Sequence, residues 1–338
     1  MIHVRNIEKR FGPKAAVDGI SFSVEKGEVL GFLGPNGAGK STTMRMITGF
    51  IPPTSGEITV GGFDVTENPI AARSLIGYLP ENAPSYTDMT VKGFLMFCAE
   101  LRGLSGTART KAVERVVEMC FLEPVFYQSI ETLSKGYRHR TCFAQSIIHD
   151  PQVLILDEPT DGLDPNQKHE VRTLIREMGR EKAIIFSTHI LEEVEAVCSR
   201  AIIIDRGKVV ANGTPGELKR RSAAAGAVTI RLAAPRAGGT EAAALARKIE
   251  AVPGVGSTQI VSDTPLTIRA NPGGRRPAPE GTLARALYAL AAQEAWEIEE
   301  LHTEEGRLDE VFRSITLGDR AASPHGERGQ AGEKEVAA

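Results

Sequence analysis

The sequence predicts an α/β protein. Residues 1 to about 220 read as a mostly parallel sheet covered by helices, with a small antiparallel sheet beside it, and a smaller α+β unit follows. Three observations predict this. The runs VLGFL (29–33), VLILD (153–157), AIIFS (183–187) and AIIID (201–205) are rich in β-branched and aliphatic residues, without polar alternation. Such runs suit strands buried on both faces of a parallel sheet. Near the N-terminus, IHVRNI (2–7) and GISFSVEKGE (19–28) alternate apolar with polar residues, as an antiparallel sheet with one wet face does. Composition then changes after GTPGELKRRSAAAGA (213–227).

The bulk numbers agree with two globular units. The chain has 338 residues, 41% hydrophobic and 25% charged, enough to bury a sizeable core. A formal net charge of −3 gives no electrostatic reason to expect nucleic acid as a partner. Cys98, Cys120, Cys142 and Cys198 are far apart and form no CxxC pair, so four reduced thiols in a cytosolic protein are expected. MIHVRNIEKRFG carries no apolar core of a secretory signal. No apolar run approaches the roughly 18 residues of a membrane helix, so any work at a membrane needs another chain to span it.

The strand VLGFL runs into Gly34–Thr42 (GPNGAGKST), and TMRMITGF follows with helical character. A strand, a glycine-rich loop, a lysine, a hydroxyl and a helix in that order build a phosphate cradle. Gly37 and Gly39 let the backbone curl so that successive N–H groups face phosphate oxygens. The helix N-terminus adds about half a positive charge. Lys40 reaches the β- and γ-phosphates, and the Ser41 hydroxyl can ligate Mg2+. Asn36, Gly37, Ala38, Gly39, Lys40, Ser41 and Thr42 are the candidate nucleotide contacts of this loop.

Further along, TVKGFLMFCAELRG (90–103) reads as a helix with Thr90 as N-cap and Phe94, Cys98 and Leu101 on one face. LSKGYRHR (Leu133–Arg140) opens another helix, which continues through Ala144 and Ile148 and stops at Asp150-Pro151. Ser134 is its N-cap, and Gly136 leaves backbone open to close approach. This helix start is either a second anion site or simply a capped helix with exposed basic side chains.

The strand VLILDEP ends in two carboxylates at the end where ligands bind in open α/β sheets. Asp157 is expected to hold Mg2+, through water, and Glu158 to orient or deprotonate an attacking water. His189 closes AIIFSTH at the same kind of strand end, so three strands aim polar groups at one crevice. A γ-phosphate contact is expected of His189.

After the composition change the chain reads VTIRL, TEAAALARKIE, STQIVS, LTIRA, GTLARALYALAAQ, WEIEEL and RLDEVFRSITL. The first six of these follow the βαββαβ order of a ferredoxin-like unit. ANPGGRRPAPEG is a Pro/Gly loop whose two arginines suit solvent or a lipid surface. The domains expected are 1–220, 221–318 and a disordered tail over 319–338.

Taken together, the motifs resemble those of the ATP-binding cassette (ABC) ATPases. GPNGAGKST is similar to their Walker A and LILDE to their Walker B. LSKGY is similar to their LSGGQ signature, GLD with Asp164 to their D-loop, and STH with His189 to their H-loop. Phe11 matches the aromatic that stacks on adenine. The resemblance covers residues 1 to about 220 with every motif in order. It implies a P-loop NTPase of ABC type: a RecA-like parallel core, an antiparallel β subdomain and a helical subdomain. It also implies ATP and Mg2+ as ligands. In that family the signature of one subunit caps the γ-phosphate held by Walker A of the other, so Ser134 and Gly136 would serve a partner chain.

Two departures from the family pattern stand out. Glu81 occupies the position where the family usually has Gln; it keeps an acceptor, adds negative charge near Mg2+ and lacks the amide donor. Lys135 and Tyr137 replace Gly and Gln of the signature, while Ser134 and Gly136 remain.

YLPENAP, LSKGYRHR and DEPTDGLDPNQ are most similar to ATP-binding subunits of exporters of drugs, lipids and polysaccharides, including gliding-motility-associated and copper-enzyme-maturation relatives. That resemblance implies an identical or pseudo-identical cassette as dimer partner. It also implies a separate membrane-spanning permease and a place on the cytoplasmic face of the cell membrane. Tyr86, Phe94 and Phe97 are expected either to face that permease or to fill the core.

The alternative is a soluble ABC ATPase of the translation or DNA-repair type. Translation-type relatives carry two cassettes, whereas each motif occurs once here, and no basic run suggests ribosome or DNA contact. Repair-type relatives insert long coiled coils, and no sustained heptads appear. A non-catalytic regulatory cassette is disfavoured by intact Lys40, Asp157, Glu158 and His189.

Overall fold

The computed structural model describes residues 1–82, 85–222, 224–233, 239–273 and 281–318. The expected tail and both arginines of the Pro/Gly loop lie outside the described residues. The chain opens with β1 (Ile2–Phe11), β2 (Lys14–Val24), β3 (Val29–Leu33) and α1 (Lys40–Ile47). It continues through β4 (Ser55–Val60), β5 (Phe63–Asp64), α2 (Pro69–Ser74) and β6 (Ile76–Leu79). Three helices follow: α3 (Val91–Leu101), α4 (Gly106–Met119) and α5 (Lys135–Ile147). The chain then returns through β7 (Val153–Asp157), α6 (Pro165–Met178), β8 (Ala183–Ser187), α7 (Leu191–Val197), β9 (Arg200–Asp205), β10 (Lys208–Gly213) and α8 (Pro215–Lys219). Last come β11 (Val228–Leu232), α9 (Gly239–Glu250), β12 (Val255–Asp263), β13 (Leu266–Pro272), α10 (Thr282–Gln293), β14 (Ile298–Thr303) and α11 (Leu308–Gly318).

The central sheet has the order β10-β9-β3-β8-β7-β6, parallel except for the antiparallel edge strand β10. Its inner strands β3, β7, β8 and β9 are rich in aliphatic residues because both of their faces meet a core. Leu30, Phe32, Val153, Ile155, Ile185, Ile202 and Ile204 face one apolar cluster. Their neighbours Val29, Leu33, Leu154, Leu156, Ile184, Phe186 and Ile203 face the other. The period of two along a strand thus feeds two cores.

One cluster is shared with the antiparallel sheet β2-β1-β4-β5, which contributes Ile2, Val4, Ile20 and Phe22, and with Met44 and Ile47 of α1. Phe22 meets Phe32 edge-on at 5.0 Å. The other cluster gathers α3, α4 and α5. On α3 the buried residues are Val91, Phe94, Leu95 and Ala99, and the Thr90 side chain caps the helix at the Gly93 N–H. Leu101, which the periodicity places on one face with Phe94 and Cys98, is 70% exposed. It is the last residue of the helix, where Arg102 and Gly103 turn the chain away.

The third sheet has the order β12-β13-β11-β14, all antiparallel, with α9 and α10 packed on one face. That is the order a ferredoxin-like βαββαβ unit takes. The following helix does not stay with it: Leu308 and Val311 of α11 join the cluster of the first body beside Leu218 of α8.

Candidate active site

The loop after β3 is shaped by its backbone. Gly39 caps α1 at φ 110°, and a Cβ there would lie 2.6 Å from the Ala16 carbonyl oxygen. That conformation and that contact both exclude a larger residue. Ala38 is buried, and its carbonyl accepts the Gly207 N–H at 2.8 Å, whereas Asn36 and Gly37 are exposed at the loop tip. Lys40 is 7% exposed and donates to the Gly34 carbonyl at 2.6 Å and the Pro35 carbonyl at 3.3 Å. Burial pushes its ammonium below the usual lysine range, while the charges of Glu158, Asp157 and Glu81 act the other way. Ser41 and Thr42 follow it half-buried on the first turn of α1.

β7 and β8 are paired in parallel, Asp157 opposite Ser187. Asp157 is 2% exposed and accepts a short hydrogen bond from the Ser187 hydroxyl. The Glu158 N–H donates to the Ser187 carbonyl at 3.1 Å. Glu158 sits at φ 52°, a left-handed conformation uncommon for a non-glycine residue, and such positions cluster at functional sites. Its two carboxylate oxygens lie 3.0 and 3.1 Å from Nδ1 of His189. Burial pushes the Glu158 carboxyl above the usual range, and the hydrogen bond and charge of His189 and the charge of Lys40 oppose this. Phe11 is 54% exposed at the end of β1, with the Lys9 ammonium 5.4 Å from its ring centre.

The other candidates form a second group. Ser134 caps α5, its hydroxyl accepting the Tyr137 N–H at 3.3 Å. Asp164 caps α6, accepting the Gln167 N–H at 2.9 Å. The Gln167 side chain covers Gly136, where a Cβ would lie 2.5 Å from its Oε1. Lys135 pairs with Asp161 at 2.8 Å. Among the described residues, no hydrogen bond or ion pair joins Ser134 or Gly136 to the Lys40 loop. The Asp161 that Lys135 pairs with donates its N–H to the Glu158 carbonyl at 3.1 Å, so the two groups meet at the turn after β7.

The family model described as ABC transporter matches residues 17–161. The linearmycin resistance ATP-binding protein LnrL of Bacillus subtilis is 40% identical over 223 residues, 65% of this chain and 71% of that protein. The Nod factor export ATP-binding protein I of Burkholderia orbicola is 36% identical over 269 residues, 79% of this chain and 88% of that protein. The chain belongs to the ABC transporter ATP-binding proteins. As a member of that family it is an ATPase. A solved ATP-binding subunit of an ABC transporter superposes on this cassette with a TM-score of 0.61 at 28% identity, covering 65% of this chain and 92% of that one. The dimeric cassette MJ0796 superposes with a TM-score of 0.60 over 64% of this chain and 99% of that one; at 21% identity this speaks for the fold alone.

Sequence reasoning on this ABC cassette missed Ser187, which holds both Asp157 and the Glu158 N–H. Its only signal was its place at the end of AIIFS beside the histidine. It also missed Thr160, Thr188 and Glu193, a buried hydrogen-bonded group beneath the Glu158–His189 pair. Tyr86 is 56% exposed, its ring centre 5.7 Å from that of Phe97 and 6.3 Å from that of Phe94. Phe94 is core, so the aromatic cluster is part core and part surface.

Proposed function

We propose that this chain is the ATP-hydrolysing subunit of an exporter, closing as a dimer on ATP and driving a separate membrane-spanning permease. The observation that carries the hydrolytic reading is the Glu158–His189 pair, at 3.0 Å, whose carboxylate acts electrostatically on buried Lys40. A carboxylate whose pKa is raised by burial is suited to accept a proton from water near neutral pH. His189 holds that carboxylate and meets the γ-phosphate, and Lys40 neutralises the β- and γ-phosphates. Asn36, Gly37, Ala38, Gly39, Ser41 and Thr42 cradle the phosphates, and Phe11 offers its exposed ring to the adenine. Ser134 and Gly136 serve the nucleotide of the partner cassette, and Asp164 shapes the turn between the two groups.

Ser41 and Asp157 suit Mg2+, which takes hard oxygen donors and commonly only one or two protein carboxylates beside substrate phosphates. Among the described residues no cluster of three or more His, Cys, Asp or Glu could hold a metal ion by itself. When bound, the ion would neutralise charge on the transferring phosphoryl group. Glu81 adds a carboxylate to that surround where the family has an amide.

The export reading is supported by relatives named for linearmycin resistance and Nod factor export. No helix among the described residues is long and apolar enough to cross a membrane. In this reading a separate permease spans the bilayer, with the cassette on its cytoplasmic face and Tyr86 and α3 turned toward it. The cassette occupies 1–220, and 221–318 form an accessory unit whose last helix returns to the first body. The test is recovery of the chain from membranes with its partner, followed by phosphate release in liposomes. Hydrolysis stimulated by a copurified permease and abolished by Lys40→Ala is expected. Copurification with ribosomes or DNA-repair proteins, and with no membrane partner, would overturn the reading in favour of the soluble alternative.

A further inference from the structure

Glu193 is 1% exposed on α7 and takes no part in the roles above. Its Oε1 accepts the Thr160 hydroxyl at 2.6 Å and its Oε2 accepts the Thr188 hydroxyl at 2.8 Å. Both threonines are themselves buried, at 1% and 0% exposure. Thr160 lies two residues beyond Glu158, and Thr188 directly precedes His189. The Thr188 oxygen also accepts the Ile190 N–H at 3.0 Å, which pins the turn carrying His189 from both sides. Lys168 of α6 brings its ammonium to 3.9 Å.

A carboxylate in this place is costly to bury, and an apolar side chain would fill the same space at less expense. What an apolar side chain cannot do is join hydroxyls from two different loops. Those two loops carry the two groups whose separation sets the Glu158–His189 contact.

We propose that Glu193 is a positioning residue for ATP hydrolysis: it locks the turn after Glu158 to the turn before His189 and so fixes the geometry of that pair. The proposal rests on the reading of Glu158 and His189 as the hydrolytic pair. A misplacement of about 1 Å at a reacting group costs on the order of 100-fold in rate. The bond is made to loops behind the phosphates and not to the nucleotide, so the effect belongs in kcat and not in ATP affinity.

The experiment uses the full chain with MgATP, measuring kcat, KM, binding of a fluorescent ATP analogue and thermal melting. Glu193→Val is expected to lower kcat by roughly 10- to 100-fold with KM and analogue affinity unchanged. Glu193→Gln should recover part of the loss, because its amide still bridges both hydroxyls. On a Glu158→Gln background Glu193→Val should cause no further loss, since the group it positions is gone. Thr160→Val removes one link with little change of volume. It gives the same comparison, with a smaller fall in kcat, should Glu193→Val not fold. Unchanged kcat in Glu193→Val or Thr160→Val would overturn the proposal, as would a parallel loss of ATP affinity or an undiminished loss on the Glu158→Gln background. Near-normal turnover in Glu158→Gln and His189→Ala would instead overturn the hydrolytic reading beneath it.

Discussion

Replacing Glu158 by Gln keeps the side chain's shape and its contact with His189 but removes the charge and the proton acceptor. Loss of a positioned base lowers turnover by roughly 100- to 10,000-fold, about 3 to 5 kcal/mol of transition-state stabilisation. ATP binding should survive, because Lys40 and its loop are untouched. The same substitution should stabilise the nucleotide-free protein. Burial raises the Glu158 carboxyl above its usual value, so the ionised group weighs against the folded state. That penalty is absent at pH values below the ordinary 4.5 and grows as pH rises through the folded value. The variant should therefore melt higher than wild type at pH 8, and the gap should close toward pH 4. In wild type, turnover should fall on acidification at a pH above that of an ordinary carboxylate. Single-turnover phosphate release and melting curves from pH 4 to 8 measure both effects. Near-normal turnover would remove Glu158 from the chemistry, and a melting gap that widens on acidification would refute the electrostatic account.

Gly39→Ala should cost about 1–3 kcal/mol in a urea melt, because the residue combines a left-handed backbone with a Cβ position 2.6 Å from the Ala16 oxygen. The thiols should be inert in the native protein: burial pushes Cys98 up to about 11 and Cys120 and Cys142 up to about 12, and raises Cys198 as well. Thiol labelling at pH 7.5 should count none before denaturation and four after it, and one fast-labelling thiol in the native state would contradict this.

The parallel strands were legible because burial on both faces leaves no polar alternation, and VLGFL, VLILD and AIIFS coincide with β3, β7 and β8. Lys40, Asp157, Glu158 and His189 could be picked out as candidates because each stands at a strand end or in the loop after one. The short element β5 was not legible: it has two residues, too few for a period to appear. Ser187, Thr160 and Glu193 were invisible for a different reason. They are ordinary residues, and their importance arises only when separate loops are brought to within hydrogen-bond distance. Leu101 fits the periodicity of its helix yet is exposed, because periodicity gives a direction and not the extent of the neighbours that cover it.

The central claim is that Lys40 and Ser134 serve one phosphate from two chains. Lys40→Ala removes the cation of one half, and Ser134→Arg fills the other half with a bulky side chain. In a symmetric dimer each site takes one half from each chain, so a mixed dimer holds one doubly damaged site and one intact site. Random equal mixing leaves about a quarter of all sites intact. ATP-dependent dimers, counted by size-exclusion chromatography with light scattering, should therefore appear in the mixture and in neither variant alone. A Lys40→Ala/Ser134→Arg double variant mixed with wild type should give no such rescue in its mixed dimers. If the subunits demonstrably exchange and the two single variants still form no ATP-dependent dimer together, the shared-site account is contradicted.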